Sequence, residues 1–379
     1  MISRREYLEH VRSALGKSPI VALLGPRQCG KTTLARQIVP PNSEKYFDLE
    51  DPEVRTLMEN PMTTLRRLKG VVVIDEAQRM PDVFPILRVL ADRERNPATF
   101  LILGSASPEL SRQALESLAG RVYLIEMRGF GCHEIEKPKW NRLWLRGGFP
   151  RSFLAQSDLE SFRWRHDFIQ TFLERDLANL GFGMAPSAMR RFWRMVSHYH
   201  AQIWNASEVA SSMGVSPNTA RHYLDALEQT YMIRRLPPWF KNLGKRLVKT
   251  PKLYFRDPGL FHSLQGIDTL DALHNHPKLG ASWEGFILEQ ILESWKISEP
   301  YFHAVHNGSE LDLFFQCEGR RVGVEIKWSD APRRTRSMQV VIDDLKLHEL
   351  KVIYPGTRTY AMGDKITAVP FAQALSPNA

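Results

Sequence analysis

The stretch that decides the fold is Gly25-Pro26-Arg27-Gln28-Cys29-Gly30-Lys31-Thr32. It matches the pattern G-x-x-x-x-G-K-[ST] at every position, and it follows the apolar run Ile20–Leu24. The glycines let backbone N–H groups curl around a phosphate at the start of a helix, where the helix dipole is positive. The pattern therefore predicts a nucleoside-triphosphate site, in which Lys31 bridges the β- and γ-phosphates and the Thr32 hydroxyl binds Mg²⁺. The predicted nucleotide-binding residues of this loop are Gly25, Pro26, Arg27, Gln28, Cys29, Gly30, Lys31, Thr32 and Thr33.

Two carboxylates follow a second strand-like run, Val71–Ile74. We expect Asp75 to hold Mg²⁺ together with Thr32, and Glu76 to polarise the attacking water. An Asp-Glu pair after a strand is often a helix N-cap, but its position downstream of a phosphate loop favours the catalytic interpretation.

Two further residues are candidates for sensing or stabilising the γ-phosphate. Ser105 follows the apolar run Phe100–Leu103, where its hydroxyl either reports the γ-phosphate or caps the next helix. Arg121 precedes the run Val122–Glu126, and we expect it to reach the nucleotide of a neighbouring subunit as an arginine finger.

The first 130 residues alternate short apolar runs with amphipathic stretches, which predicts a parallel sheet covered by helices on both faces. The predicted strands are Ile20–Leu24, Tyr46–Leu49, Val71–Ile74, Thr99–Leu103 and Val122–Glu126. The predicted helices are Lys31–Ile38, Pro52–Glu59, Val83–Arg95 and Pro108–Ser117.

The composition indicates two or three globular domains and excludes several other classes of protein. The chain has 379 residues, of which 43% are hydrophobic, and its longest apolar runs are too short to span a bilayer. Its 3 cysteines lie far apart and match neither a disulfide framework nor a zinc pattern. Because the first residues also lack a signal-peptide pattern, we expect a cytoplasmic protein without a membrane partner.

The net charge of +9 is concentrated in the middle of the chain. Between Lys139 and Arg256 there are 19 Lys and Arg against 8 Asp and Glu, so the rest of the chain is about neutral. This distribution is typical of a surface that faces a polyanion, although a solvated basic face would have the same composition.

Residues 205–224 have the pattern of a helix-turn-helix within this basic region. Gly214 permits a left-handed turn, and Ser216 followed by Pro217 is a helix start. We expect the second helix and the basic stretch after Phe240 to contact nucleic acid, although many such folds bind only protein. The predicted DNA-binding residues are Asn218, Thr219, Arg221, His222, Lys241, Lys245 and Arg246.

Carboxylates and a lysine recur near the C-terminal end in the order Asp312 and then Glu325-Ile326-Lys327, with Glu284 on a preceding helix. On adjacent strands they can converge, so that the carboxylates Glu284, Asp312 and Glu325 hold a metal ion and Lys327 orients water against a phosphodiester. The spacing resembles the PD-(D/E)xK nuclease pattern, although no proline precedes Asp312.

Taken together, these motifs resemble one group: prokaryotic AAA-type ATPases that carry the C-terminal domain of unknown function 4143. Additional stretches carry this resemblance, namely Leu118–Arg121, Leu145–Pro150, Leu173–Asp176, Pro238–Leu243, Lys249–Phe255 and Val324–Lys327. The resemblance implies an α/β fold with a parallel-sheet AAA+ core (1–132), a helical lid (133–200), a winged helix (201–274) and a restriction-endonuclease-like domain (275–379). It also implies that Arg121 acts in trans and that Arg175 is a lid arginine at the nucleotide.

The sequence thus predicts an ATPase that requires ATP and Mg²⁺ and assembles as a hexameric ring. We expect it to move or remodel duplex or branched DNA, with Holliday-junction branch migration as one instance. Two alternatives stay open: a nucleotide-dependent regulatory or antitoxin-like scaffold without motor activity, and a DNA nuclease that uses the C-terminal carboxylates.

Overall fold

The computed structural model describes residues 2–93, 98–105, 118–135, 139–177, 184–239, 249–305 and 309–375; at Ser105, Arg175 and Asp176 it describes only the backbone. The chain forms two compact units. The first consists mainly of Met1–Phe130, and the second of Gly131–Arg175, Gly183–Glu228 and Met232–Ala379. The end of the first unit lies two residues from the expected end of the ATPase core.

The first unit is built on a five-stranded parallel sheet in the order β2-β3-β4-β1-β5. Its strands are β1 (Ile20–Gly25), β2 (Tyr46–Asp48), β3 (Gly70–Asp75), β4 (Ala98–Ser105) and β5 (Val122–Glu126). Every residue of β1 is buried, as expected for a central strand with helices on both faces. Alternate residues of β1 enter two separate hydrophobic clusters, which confirms the predicted sheet with both faces covered.

Five helices are described around this sheet: α1 (Arg5–Leu15), α2 (Lys31–Ala35), α3 (Pro52–Leu57), α4 (Pro61–Leu65) and α5 (Val83–Ala91). The predicted helix from Lys31 to Ile38 is shorter than expected, because after Ala35 the chain continues in turns whose N–H groups bond three residues back. The predicted helix Pro108–Ser117 lies outside the described residues.

Strand β4 is inserted between β1 and β3, which fixes what meets at the carboxyl edge of the sheet. Gly25 at the end of β1 is opposite Ser105 on β4, and Ile74 on β3 is opposite Ile102. The phosphate loop, the backbone of Ser105 and the Asp75-Glu76 pair therefore leave the sheet at one edge, where ligands of parallel α/β sheets bind.

The second unit begins with helices that pack through aromatic side chains. They are α6 (Trp140–Arg146), α7 (Pro150–Phe153), α8 (Asp158–Thr171), a π-helical turn (Phe172–Asp176) and α9 (Pro186–His198). Phe168, Phe172 and Trp193 form a continuous series of ring contacts, with centroids 5.2 to 6.2 Å apart. The aromatic stripe of this region is therefore core packing, as its helical spacing indicates.

A winged-helix arrangement follows α9. It contains α10 (Ala206–Met213), α11 (Pro217–Gln229) and a three-stranded sheet of β6 (Gln202–Ile203), β7 (Ile233–Leu236) and β8 (Lys252–Phe255), in the order β6-β8-β7. Gly214 ends α10 with a φ of +68°, and the Ser216 hydroxyl accepts the N–H of Thr219 at 3.0 Å. The predicted turn and helix cap are thus confirmed.

The C-terminal part is a mixed six-stranded sheet with helices. Its helices are α12 (Pro258–Gln265), α13 (Leu270–His274), α14 (Leu279–Ser294), α15 (Arg336–Leu345) and α16 (Phe371–Ala374). The strand order is β13-β14-β12-β11-β10-β9, formed by β9 (Tyr301–Ala304), β10 (Glu310–Cys317), β11 (Arg320–Ile326), β12 (Glu349–Tyr354), β13 (Tyr360–Gly363) and β14 (Ile366–Pro370). In the described part of the chain, no helix is both long and apolar enough to cross a membrane.

Candidate functional site: a nucleotide edge and a carboxylate cluster

The phosphate loop depends on two glycines for different reasons. A Cβ on Gly25 would lie 2.0 Å from the carbonyl oxygen of Met127, so the loop passes too close to that strand end for any side chain. Gly30 has a φ of +107°, a left-handed conformation that favours glycine, and it immediately precedes α2. These two positions shape the turn that aims the backbone N–H groups at a ligand.

Lys31 is buried, and its ammonium group is held by neutral acceptors. Its Nζ donates to the carbonyl oxygens of Gly25 at 2.9 Å and Pro26 at 2.8 Å. Both acceptors belong to the phosphate loop itself, so the lysine is held over the space that the loop encloses. A phosphate oxygen is a stronger, charge-assisted acceptor for this group than a carbonyl oxygen.

Asp75 is the centre of a small hydrogen-bond network at the end of β3. The Tyr46 hydroxyl donates to Asp75 Oδ2 at 2.8 Å, and Thr32 hydrogen-bonds the same carboxyl group. Burial raises the pKa of Asp75, while these hydrogen bonds act in the opposite direction. The two predicted Mg²⁺ ligands, Thr32 and Asp75, are thus in contact. A hydroxyl and a carboxylate are the oxygen donors that Mg²⁺ prefers, so these residues fit the ion.

Glu76 occupies a strained backbone position. Its φ is +54°, a left-handed conformation that is uncommon for a residue with a side chain and that recurs at functional sites. The Gln78 side chain donates to Glu76 Oε2. Burial raises the pKa of Glu76, and the charge of Lys31 opposes this shift. Glu76 is therefore close enough to Lys31 to share its field, as a water-activating carboxylate in this site requires.

The structure places the remaining nucleotide-site candidates as follows. Ser105 ends β4 at the correct edge, and its side chain lies outside the described atoms, as does that of Arg175. Arg121 lies on the surface, where its guanidinium pairs with both carboxylate oxygens of Asp92, at 2.5 and 3.0 Å. Its role as an arginine finger stays a prediction, since here its partner is a carboxylate of its own chain.

The exposed face of α11 carries most of the predicted DNA contacts that the structure describes. Asn218, Arg221 and His222 are exposed, and Thr219 is half-buried with its hydroxyl bonded to that of Ser216. Ala220 and Leu224, on the opposite face of α11, are buried. Lys241, Lys245 and Arg246 lie outside the described residues.

The C-terminal candidates do converge. The Asp312 carboxylate accepts the N–H of Ile326 at 2.8 Å, which fixes β10 against β11. On β11 and just beyond it, Lys327 Nζ lies 2.6 Å from Glu325 Oε1. Glu284 on α14 raises the pKa of Glu325 through its charge, so it shares the same environment.

A second lysine, which is not among the predicted site residues, lies inside this cluster. Lys252 at the start of β8 is almost fully buried, and its ammonium group pairs with Glu310, with Glu284 at 3.4 Å and with Asp312 at 3.7 Å. Burial opposes its charged form, but the surrounding carboxylates outweigh burial and raise the pKa of Lys252. The Tyr254 hydroxyl donates to Glu284 Oε1 at 2.6 Å, closing the cluster further.

The cluster as it stands fits an ammonium group better than a metal ion. Lys252 already pairs with Glu284 and Asp312, two of the three carboxylates that a divalent cation would need. Over the described ranges, no set of three or more His, Cys, Asp or Glu side chains is placed to hold a metal. Burial, followed by the charge of Asp312, raises the pKa of both Glu284 and Glu325.

Sequence reasoning missed four residues of these sites. Tyr46, Lys252 and Tyr254 act through contacts with elements distant in the sequence, whereas Gln78 contacts Glu76, two residues away. One signal was available: Lys252 opens a run, Lys252–Phe255, whose other members are apolar or aromatic. A lysine at the start of a fully buried strand requires a carboxylate partner.

Three family models match the chain in succession. They are an AAA domain at residues 17–136, a domain of unknown function (DUF8612) at residues 137–271 and a domain of unknown function (DUF4143) at residues 279–374. The first model spans the phosphate loop, Asp75 and Glu76, which together form the nucleotide edge. The last spans Glu284, Asp312, Glu325 and Lys327.

Two curated relatives resemble almost the whole chain. The uncharacterized proteins Mb2031c of Mycobacterium bovis and Rv2008c of Mycobacterium tuberculosis are each 48% identical over 376 residues, covering 99% of this chain and 85% of the relative. Among solved structures, the Walker-type ATPase PABY2304 of Pyrococcus abyssi is similar with a TM-score of 0.51 and 13% identity, covering 70% of this chain and 96% of that one. At this identity the likeness concerns the fold alone.

Proposed function

Because the chain belongs to the family of AAA-type P-loop ATPases with a C-terminal DUF4143 domain, we propose that it is a Mg²⁺-dependent, ring-forming ATPase that binds and remodels DNA. The proposal has three parts: ATP hydrolysis, assembly and action on DNA. Each part has its own support and its own test.

The observation that carries the proposal is the convergence of Lys31, Thr32, Asp75 and Glu76 at one sheet edge. Lys31 and the loop N–H groups would hold the β- and γ-phosphates, and Thr32 and Asp75 would hold Mg²⁺. Bound Mg²⁺ neutralises charge that develops on the phosphate oxygens. Glu76, kept in place by Gln78 and by its backbone conformation, accepts a proton from the attacking water.

Hydrolysis is tested by separating it from binding. Glu76→Gln keeps the size and shape of the side chain, so we expect ATP to bind with wild-type affinity while kcat falls by about 10²- to 10⁴-fold. Lys31→Ala should lose both binding and turnover. Fluorescent-nucleotide titration and phosphate release measure the two steps. If Lys31→Ala hydrolyses ATP at the wild-type rate, the assigned site is wrong.

Ring assembly is supported by the family resemblance and by the surface position of Arg121. Its pairing with Asp92 is exposed, so the guanidinium can change partners at little cost. If Arg121 acts in trans, Arg121→Ala and Glu76→Gln are each inactive alone. An equimolar mixture of the two should then recover about a quarter of wild-type activity, because a quarter of the subunit interfaces combine an intact Glu76 with an intact Arg121. Mixtures that stay inactive contradict catalysis in trans.

Action on DNA is supported by the basic middle region and by the exposed polar face of α11. A motor should hydrolyse ATP faster when DNA is added, and its DNA affinity should fall steeply with salt. The test compares the ATPase rate and strand movement in the presence of single-stranded, duplex, forked and four-way DNA with the ATPase rate without DNA. A regulatory scaffold, the first alternative, would show neither stimulation nor strand movement with any of these substrates.

DNA cleavage is the second candidate, because Glu284, Asp312, Glu325 and Lys327 converge as a nuclease-like pattern predicts. Lys252 opposes it by pairing with two of these carboxylates, Glu284 and Asp312. The test is cleavage of duplex and branched DNA with Mg²⁺ or Mn²⁺ by the wild type and by the Asp312→Ala, Lys327→Ala double variant. Cleavage that survives in the double variant would not come from this cluster.

A further inference from the structure

One face of helix α9 carries a stripe of polar and basic side chains that belongs neither to the nucleotide edge nor to the exposed face of α11. Ser187, Arg191, Arg194 and His198 are all exposed and follow one another at steps of four, three and four residues, so they lie on one helix face. The opposite face, with Met189, Phe192, Trp193 and Val196, is buried.

This stripe borders a groove of about 750 Å³. Its polar lining consists of Glu174, Ser187, Arg190, Arg191, Arg194 and His198. We call this the α9 groove. All of its lining residues belong to the second unit.

The α9 groove holds more positive charge than the protein itself compensates. Glu174 is the acidic residue in its lining, and it lies 3.4 Å from Arg190. Arg191 donates to the carbonyl oxygen of Ser212 at 2.5 Å. The Arg194 side chain makes no hydrogen bond or ion pair with any residue that the structure describes. Cations spaced three and four residues apart on a helix repel one another, so an anionic ligand would stabilise this face.

The groove is connected to the helix-turn-helix by a direct contact. Ser212, which accepts the bond from Arg191, lies in the last turn of α10, just before the Gly214 turn that leads into α11. The groove therefore lies beside the turn that leads into α11, the helix whose Asn218, Arg221 and His222 are exposed.

We propose that the α9 groove binds the phosphate backbone of a nucleic-acid strand; this inference rests on the DNA-binding function proposed above. Guanidinium groups recognise phosphate oxygens through paired donors. From Arg191 to His198 the stripe rises about 10 Å. Phosphates of one duplex strand advance about 3.4 Å along the axis, so the stripe is long enough for roughly three of them. Such contacts position the duplex and carry no base specificity.

The test is the salt dependence of DNA binding by the full-length chain. In the Arg190→Ala, Arg194→Ala double variant, we expect the slope of log K against log salt to fall by about 1.8, because each lost phosphate contact removes about 0.9. Affinity should weaken equally for unrelated sequences. The matched control is Arg151→Ala, Arg163→Ala, which removes two exposed arginines from α7 and α8 of the same unit; it should leave the slope unchanged. Circular dichroism verifies that both double variants are folded.

Further measurements distinguish a failure of this inference from a failure of the proposed DNA-binding function. A wild type that binds no nucleic acid at low salt contradicts the proposed function itself. If the wild type binds DNA and Arg221→Ala weakens it, but the groove variant behaves like its control, only the present inference is overturned. It is also overturned if the groove variant loses binding of inorganic tripolyphosphate while its DNA affinity is unchanged, since the groove would then be a small-anion site.

Discussion

The nucleotide edge and the C-terminal carboxylate cluster both place a buried lysine beside carboxylates near strand ends, yet the two lysines have different partners. Lys31 is bonded to the carbonyl oxygens of Gly25 and Pro26, which are neutral. Lys252 is paired with three acidic side chains, the exposed Glu310 and the largely buried Glu284 and Asp312. A lysine held by neutral groups can exchange them for a phosphate, whereas a lysine held by buried carboxylates cannot leave without exposing their charge. Identical residue types thus make an open binding site in one region and a closed structural pair in the other.

The most direct test of this difference is to replace each lysine and measure the free energy of unfolding. Lys252→Met should lower the free energy of unfolding by about 3–5 kcal/mol, because it leaves buried carboxylates without their cation. Lys31→Met should lower it less, by about 1–3 kcal/mol, because the two carbonyl oxygens that it leaves without a donor are neutral. Urea titration measures both effects.

The chain offers a selective probe for this experiment. All 9 tryptophans lie beyond Gly131, so tryptophan fluorescence follows the second unit, while far-ultraviolet circular dichroism follows both. Similar losses of stability in the two variants would show that the lysines are equivalent, contrary to the comparison.

The sequence predicted the nucleotide edge more completely than the carboxylate cluster, because the first depends on local contacts and the second on contacts between distant elements. The phosphate loop is eight consecutive residues, and its role depends on local backbone geometry, so Gly25, Gly30 and Lys31 were identified directly. The convergence of Asp312 with Glu325 also followed, because adjacent strands bring them together. The sequence did not show that Lys252 enters this cluster, since that depends on how β8 is placed against α14 and β10, which no spacing rule contains. The pairing of Arg121 with Asp92 and the bond from Tyr46 to Asp75 were missed for the same reason.

A second prediction sharpens the account of the nucleotide edge. Tyr46→Phe removes the hydroxyl that donates to Asp75. Burial already raises the pKa of Asp75 and this bond opposes the shift, so its loss should raise the pKa further. We expect the acidic limb of the ATPase pH profile to move to higher pH and half-maximal activity to require more Mg²⁺. The loss of one hydrogen bond to a charged group corresponds to about 1.5–3 kcal/mol.

Magnesium titrations of the ATPase rate at several pH values measure this effect. Tyr7→Phe, a change of the same type elsewhere in the first unit, is the control. A Tyr46→Phe profile that coincides with that of the wild type at every Mg²⁺ concentration would show that the Tyr46 hydroxyl does not tune Asp75.

A third prediction concerns the pH dependence of the carboxylate cluster. Burial and the charge of Asp312 raise the pKa of Glu325 in the folded protein to about 8, above its value in the unfolded chain. Below the unfolded pKa, both states are protonated and Glu325 adds no pH dependence. As the pH rises, the unfolded chain loses its proton first, so the free energy of unfolding falls until the folded carboxyl group also ionises. Glu325→Gln removes this loss.

The difference in unfolding free energy between Glu325→Gln and the wild type should therefore increase in favour of the variant between about pH 4.5 and pH 8, by the order of 1 kcal/mol for each unit of pKa difference. Tryptophan fluorescence in urea at stepped pH measures this difference in the second unit. Glu318→Gln, an exposed carboxylate at the β10–β11 turn, controls for the loss of one charge. A difference that decreases with pH would mean that Lys327, 2.6 Å from Glu325, stabilises the ionised form more than burial opposes it. In that case the carboxyl groups of the cluster would be ionised and able to bind a cation. The cluster would then differ from the nucleotide edge only because Lys252 already occupies the cation position.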